Sequence, residues 1–394
     1  MDYRLEYLGG AQAALRQQAA ALLAAGHAVT VIAPDAPADA ALAAVGATLR
    51  RAASWGAVPG VALPIVVNGA RTRRVLARLM DDERIDLVVV HSELGLAAAA
   101  IEVARARRTP TMHVVHTFFW RAPRIAAPLA PVVTALHAAL TGLRGAAPRT
   151  ADRLLDSALR GMTWRACMAA DLVVSPSRHQ AAALGAAGVE HVTVIGNAVG
   201  AMPSARRPRT DELRLVWAGR FAPEKRLDVA LEAMRLVDAA LGPGRVRLDV
   251  AGGRLPRRAR SASVVAHGRV APHEVAALLG RADAAVITSC GFDNQPMVAL
   301  EAFRAGRPII VSDPVLAAEF RPAAIAAETA TASGLAATIL GLVADRSALL
   351  DAALGAAALA SEASPAVHVD RLLAAHDRLA ARSRVAPSGR AWID

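Results

Sequence analysis

Lysine is all but missing from this 394-residue sequence. Lys225 is the only one, although lysine and arginine together number 45. The positive charge is therefore arginine, and against 34 acidic residues the formal balance is +11. In an alanine-rich chain, that excess reads first as a general arginine-decorated surface and second as a dedicated polyanion site. A lysine kept where arginine is the rule marks position 225 as one that wants a compact ammonium. Cysteine is as scarce: Cys167 and Cys290 alone exclude a disulfide-rich scaffold and a four-thiolate zinc site, and they read as reduced thiols of a cytoplasmic protein. Cys-x-x-Cys and His-Glu-x-x-His spacings are absent, so no metal is expected. Aromatic residues make up 3% and no stacking motif appears, which argues against nucleic-acid binding. Glycine (28) and proline (22) are near average usage, which rules out a collagen-like or linker-like chain. No basic stretch leads into a signal-like apolar run, and the alanine-rich runs are punctuated by Arg, His, Pro or Gly. Neither secretion nor a membrane span is expected.

What is present is apolar. The chain is 54% hydrophobic and 20% charged, ample for a buried core, and its length suits two domains. Residues 11–25 carry a helical pattern closed by Gly26, and 28–32 read as a strand. A helix is expected at 72–81, where Val75, Leu76 and Leu79 alternate with arginines. Further strands are expected at 86–90, 111–115, 171–174 and 191–195, with a short opening strand at 3–7. Strands each followed by a helix build a parallel sheet covered on both faces. Residues 201–212, with Pro203 and Pro208, read as a linker. A second series begins at 213–217, with strands at 246–250, 263–266, 284–288 and 308–311 and helices at 226–239, 272–279 and 297–304. A terminal helix is expected at 366–381, crossing back to the first domain, ahead of a loose tail at 382–394. The expected fold is α/β: two Rossmann-like domains, residues 1–200 and 213–365, facing across a cleft with their strand C-termini.

Five places carry chemistry. Gly9-Gly10-Ala11-Gln12 precedes the first helix, where glycines allow close approach and helix N–H groups are unpaired. Arg220 and Lys225, in a loop after the strand 213–217, are the residue types that bind two phosphate groups. Asp293 and Glu301 supply carboxylates able to grip sugar or ribose hydroxyls, with Asp293 also readable as a helix cap and Glu301 as an exposed helical residue. The amides of Asn294, Gln295, Pro296 and Met297 border that helix start, where phosphate oxygens can be met by the N–H groups available. His116 ends a strand, while His113, an odd number of residues earlier, points to the other face and reads as packed. His91 has a weaker claim of the same kind, and Asn197 reads as a turn residue.

Taken in order, these segments resemble the GT-B fold retaining glycosyltransferases of the family 4 type, over almost the whole chain. The resemblance runs through Gly9-Gly10-Ala11-Gln12, 110–116, 170–177, Val194-Ile195-Gly196-Asn197, Ala218-Gly219-Arg220, Glu224-Lys225, and Asp293 to Glu301 with 302–310. It implies a hexosyltransferase that moves a sugar from a UDP-sugar or GDP-sugar to an acceptor hydroxyl without a further cofactor. It implies that Arg220 and Lys225 hold the diphosphate, Glu301 the ribose, Asp293 the donor sugar, His116 the donor sugar from the first domain, and Gly10 a phosphate. Asp293 stands where the family usually has glutamate, about one methylene shorter. Val114 and Ala198 also depart from the usual threonine and glycine. The resemblance implies a front-face reaction. The competing readings are a nucleotide-sugar epimerase, a phosphorolytic enzyme and a nucleotide-sugar-binding protein without turnover. The acceptor is expected to meet the segment 118–149, read as a long loop. The chain is expected to be a monomer or weak homodimer, with peripheral contact at the inner membrane face left open, Arg71, Arg73 and Arg74 being candidates for it.

Overall fold

The computed structural model describes residues 1–5, 9–58, 63–122, 124–203, 211–256 and 261–385. The chain divides into two compact units. Met1–Gly196 with His368–Asp394 form the first, and Asn197–Val367 the second. In the first unit, α1 (Gly10–Ala24) leads to β1 (Thr30–Ala33), α2 (Ala40–Ala44) and β2 (Thr48–Arg51). The short β3 (Ala57–Val58) and β4 (Leu63–Pro64) precede α3 (Ala70–Asp82), β5 (Val88–Val90), α4 (Gly95–Arg107) and β6 (Thr111–Val114). Then come α5 (Ala130–Thr141), α6 (Leu154–Ala169), β7 (Leu172–Ser175), α7 (Arg178–Ala186) and β8 (Val192–Val194). Strands β5, β6, β7 and β8 pair in that order, all parallel, and β1 and β2 form a separate parallel pair.

The second unit runs β9 (Leu213–Ala218), α8 (Leu227–Leu241), β10 (Val246–Ala251), β11 (Val264–Gly268), α9 (Pro272–Arg281), β12 (Ala284–Ile287) and α10 (Met297–Arg304). It continues through β13 (Ile309–Val311), α11 (Pro314–Glu319), β14 (Ala324–Ala326), α12 (Ala332–Ala344) and α13 (Ser347–Glu362). Its six parallel strands lie in the order β11-β10-β9-β12-β13-β14. The last helix, α14 (Pro365–Val385), leaves the second unit and joins the first.

Period-two alternation explains why most positions of these strands are apolar. In β9, Leu213, Leu215 and Trp217 enter one core, with Val286 of β12 and Ile310 of β13. Val216 enters the other, with Ala285, Ile287, Ile309 and Val311. Both faces are covered at these positions, so apolar residues fill them, while Arg214 near the strand's start stays half-buried. The first unit repeats the device. Met112 and Val114 of β6 and Val174 of β7 pack against Leu372 and Ala375 of α14. Val173 and Val115 pack on the opposite face. Burying Leu372 contributes about 2 kcal/mol, which is why the terminal helix stays on the first unit.

Several boundaries differ from expectation. Residues 3–5 form no strand, and 6–7 lie outside the described residues. Val199 belongs to the second unit's core and donates its N–H to Ala363 O at 2.9 Å, so the division falls at Gly196 rather than 200. Of the expected linker, 204–210 lie outside the described residues. The terminal helix runs on through 385, past the expected start of a tail, and 386–394 are not described. The segment 118–149 is not a long loop, because α5 occupies its centre.

Candidate functional site

The second unit places its polar residues where its strand order reverses. From β9 the chain builds outward to β10 and β11, then returns to lay β12, β13 and β14 on the other side. The seam between β9 and β12 is a topological switch point, and loops leaving the two strands there diverge to leave a crevice. Lys225 comes from the loop after β9, and Asp293 from the loop after β12. Lys225 Nζ donates to Asp293 Oδ1 at 2.5 Å, with side chains 22% and 10% exposed. Ser289 donates its hydroxyl to the other oxygen of Asp293. The ring of Phe292 lies 5.8 Å from Lys225 Nζ.

Buried hydrogen bonds fix the two loops. Trp217 Nε1 donates to Thr288 Oγ1 at 2.9 Å, and that hydroxyl donates to Lys225 O at 2.7 Å. Arg226, in the left-handed region at φ 50°, donates to Thr288 O and Ala330 O. Asp313, just past β13, accepts from Gly291 N at 2.6 Å and from Val315 N at 2.9 Å, capping α11 and holding the β12 loop at once. A cavity of about 20 Å³, lined among others by Trp217, Lys225, Thr288, Ser289 and Asp293, has room for one water-sized body.

A glycine sets the approach of the β9 loop. A Cβ on Gly252, at φ 134°, would lie 1.8 Å from Gly219 O. Only glycine allows the ends of β9 and β10 to come so close. Gly252→Ala is expected to destabilise the second unit by about 3 kcal/mol or more. Denaturant unfolding measures this; a change under about 0.5 kcal/mol would remove the close approach as a constraint.

The other expected residues separate into groups. Glu301, on α10, is partly buried, and burial pushes its carboxyl up to about 7. It is not the freely exposed helical residue that the sequence also allowed. Asp293 does not cap α10, whose cap position is Pro296, followed by Met297 as first helical residue. Asn294 is buried, and the side-chain oxygen of Gln295 accepts from Asn197 N at 2.7 Å. That bond gives Asn197 its structural role. Arg220 does not share a partner with Lys225: it is 56% exposed and pairs with Glu224 at 3.3 Å. Sequence reasoning missed Thr288, Asp313 and Arg226; the available signal was a hydroxyl just after β12, a carboxylate two residues past β13, and an arginine next to Lys225.

In the first unit His116 meets His91. Nδ1 of His91 lies 2.8 Å from Nε2 of His116, and the rings stack with centroids 5.1 Å apart. One nitrogen must donate and the other accept, so the contact requires at least one neutral ring. Burial lowers both histidines, His116 to about 4, and His116 further disfavours charge on His91. Strand register explains the meeting: Val90 of β5 aligns with His113 of β6, so the residues past both strand ends are neighbours. His113 points the other way, to Cys167 Sγ at 3.6 Å. Glu93, two residues past His91, is buried, accepts from Tyr3 Oη at 2.7 Å, and is pushed up to about 7 by burial. Gly10 opens α1 with its residue exposed, and Gly9 precedes it in extended conformation. Among the described residues, no group of three or more His, Cys, Asp or Glu is placed to hold a metal ion.

Residues 8–201 match Glycosyltransferase Family 4, and residues 212–345 match Glycosyl transferases group 1. The two matches together cover most of the chain, a GT-B fold glycosyltransferase related to family 4. Among curated proteins it is similar to the glycogen synthases of Mycobacterium tuberculosis strains CDC 1551 and H37Rv. Identity to each is 36% over 138 residues, 32% of this chain and 33% of theirs. The match thus spans about a third of the length of those relatives. Among solved structures, HepE of Anabaena with UDP and glucose aligns with TM-score 0.65 at 14% identity, covering 94% of this chain and 97% of that one. Sucrose-phosphate synthase from Thermosynechococcus elongatus aligns with TM-score 0.62 at 18% identity, covering 95% and 94%. At these identities the likeness is one of fold.

Proposed function

We propose that the chain transfers a glycosyl group from a nucleotide diphosphate sugar to an acceptor hydroxyl, retaining the anomeric configuration. One observation carries the reading: the chain's only lysine and a carboxylate sit in contact at the β9–β12 switch point, with Glu301 on the helix that follows. In this reading the diphosphate of the donor takes Lys225 from Asp293. Asp293 is then free to accept from hydroxyls of the donor sugar, and Glu301 accepts from the ribose. Arg220, exposed and paired with Glu224, swings to the same phosphates. The first-turn N–H groups of α10, beyond Asn294, Gln295, Pro296 and Met297, add partial positive charge.

The bond from the anomeric carbon to the phosphate oxygen breaks while the acceptor oxygen bonds that carbon from the same face. The acceptor proton passes to the departing phosphate oxygen. Charge that develops on this diphosphate is what Lys225 stabilises. A cytoplasmic setting is part of this proposal, and the free thiols Cys167 and Cys290 are compatible with it. The test is incubation with a panel of UDP- and GDP-sugars, with and without hydroxyl acceptors, and proton NMR of the products. Release of nucleoside diphosphate that depends on the acceptor, giving a glycoside of the donor's own configuration, is expected. Isomerised nucleotide sugar without acceptor, a requirement for inorganic phosphate, or tight binding with no release would each overturn the reading.

A further inference from the structure

Helix α5 presents an unusual outer face. Its twelve residues include no charged group. Its inner face is anchored: Ala130, His137 and Thr141 are buried, and His137 Nε2 lies 2.9 Å from Glu93 O. The outer face carries Val132, 59% exposed, and Leu136, 51% exposed, continuing from Leu129 just before the helix, 50% exposed. These positions follow helical spacing and form one stripe. Leu154, which opens the neighbouring α6, adds a fourth aliphatic side chain at 64% exposure. Four large aliphatic groups on two packed helices are more than the scattered singles that ordinary surfaces show.

The chain segment that carries this stripe is basic up to the exposed Asp152, two residues before Leu154. From residue 103 to 151 the sequence contains no aspartate or glutamate in 49 residues, but seven arginines. Exposed Arg121 precedes α5, and exposed Arg144 and Arg149 follow it. An apolar strip rimmed by arginine suits a surface that offers hydrocarbon just beneath phosphate. A second copy of the chain, packed by twofold symmetry, would set the same arginines against each other, which like-charge repulsion disfavours. At about 1.5 Å per residue, twelve residues reach about 18 Å, less than a bilayer's hydrocarbon thickness. Among the described residues, no single helix is long and apolar enough to cross a membrane. The stripe therefore lies along a surface. Arg73 does not belong to this face; it is engaged by Glu102 at 3.3 Å and by Asn68.

We propose that the outer face of α5, with Leu154, docks on an anionic phospholipid surface, its arginine rim meeting lipid phosphates. The proposal does not rest on the transferase reading. The experiment is sedimentation of the full chain with vesicles of phosphatidylcholine containing about one-third phosphatidylglycerol, beside vesicles of phosphatidylcholine alone. The chain is expected to sediment with the anionic vesicles, less as salt rises. Val132→Glu/Leu136→Glu is expected to weaken this by more than about tenfold, and Arg144→Glu/Arg149→Glu to weaken it as well. Arg71→Glu/Arg74→Glu is expected to leave it unchanged. Because the altered α5 residues are exposed, thermal melting should show these variants folded. No sedimentation of the unaltered chain with anionic vesicles would overturn the proposal. So would equal binding by Val132→Glu/Leu136→Glu, or equal loss with Arg71→Glu/Arg74→Glu. A dimer in sedimentation velocity that Val132→Glu/Leu136→Glu dissociates, without vesicle binding, would assign the face to a second copy instead.

Discussion

Lys225→Ala is expected to lower turnover about 100- to 1000-fold, the effect of removing one donor that stabilises charge in the transition state. The same change also takes the neighbouring cation away from the carboxylate of Asp293, which is 10% exposed. A stability loss of about 1–3 kcal/mol should accompany it. The two effects separate in the double variant Lys225→Ala/Asp293→Asn, which removes the carboxylate charge as well. Thermal stability should largely return while turnover stays low. If turnover returned with stability, Lys225 would be holding the β9 and β12 loops together and nothing more. The comparison needs only melting curves and steady-state rates on one set of variants.

Glu301→Gln is expected to change stability in a pH-dependent way. Burial raises the folded carboxyl from 4.5 to about 7. Between those values the folded state holds a proton that the unfolded state has lost, so the native chain loses stability as pH rises through the window. Above about 7 the whole penalty is present. The variant has no such group. It should match the parent near the lower end of the window and exceed it at pH 8 by about 1–3 kcal/mol, with the partial exposure of the side chain favouring the smaller figure. Donor affinity should move the opposite way, falling about tenfold or more, since an amide oxygen is a weaker acceptor for ribose hydroxyls than a carboxylate. Melting curves at pH 5 and pH 8, with calorimetry on the donor, read both. A stability gain independent of pH would deny the desolvated carboxyl, and unchanged affinity would deny its contact with ribose.

Much of this was legible in the residues. The second unit's strands announced themselves because both faces are buried, leaving β9 and β12 apolar at every core position. Helix α10 lies at 297–304 as expected, since Pro296 can open a helix but not extend one backward. The first unit was harder. Helix α5 lacks the charged outer face that makes periodicity visible, and Pro128 and Pro131 punctuate its start, so its segment reads as loop. The feature that concealed the helix is the one that makes its outer face unusual.

The site shows the same limit. Lys225 and Asp293 could each be singled out by residue type and place in the chain. Their contact could not, because it joins loops 68 residues apart whose paths are fixed by Thr288 and Asp313. Arg220 illustrates the converse: proximity in sequence to Lys225 suggested convergence, but its guanidinium turns to Glu224. His91 gained its importance only through strand register, a property of the sheet rather than of the residue.

The most direct measurement is a structure of the full chain with a nucleotide diphosphate sugar bound. The expected result has diphosphate oxygens about 2.7–3.2 Å from Lys225 Nζ, the ribose on Glu301, and the Lys225–Asp293 contact opened to admit the donor. A donor seated elsewhere, with Lys225 still bound to Asp293, would contradict it.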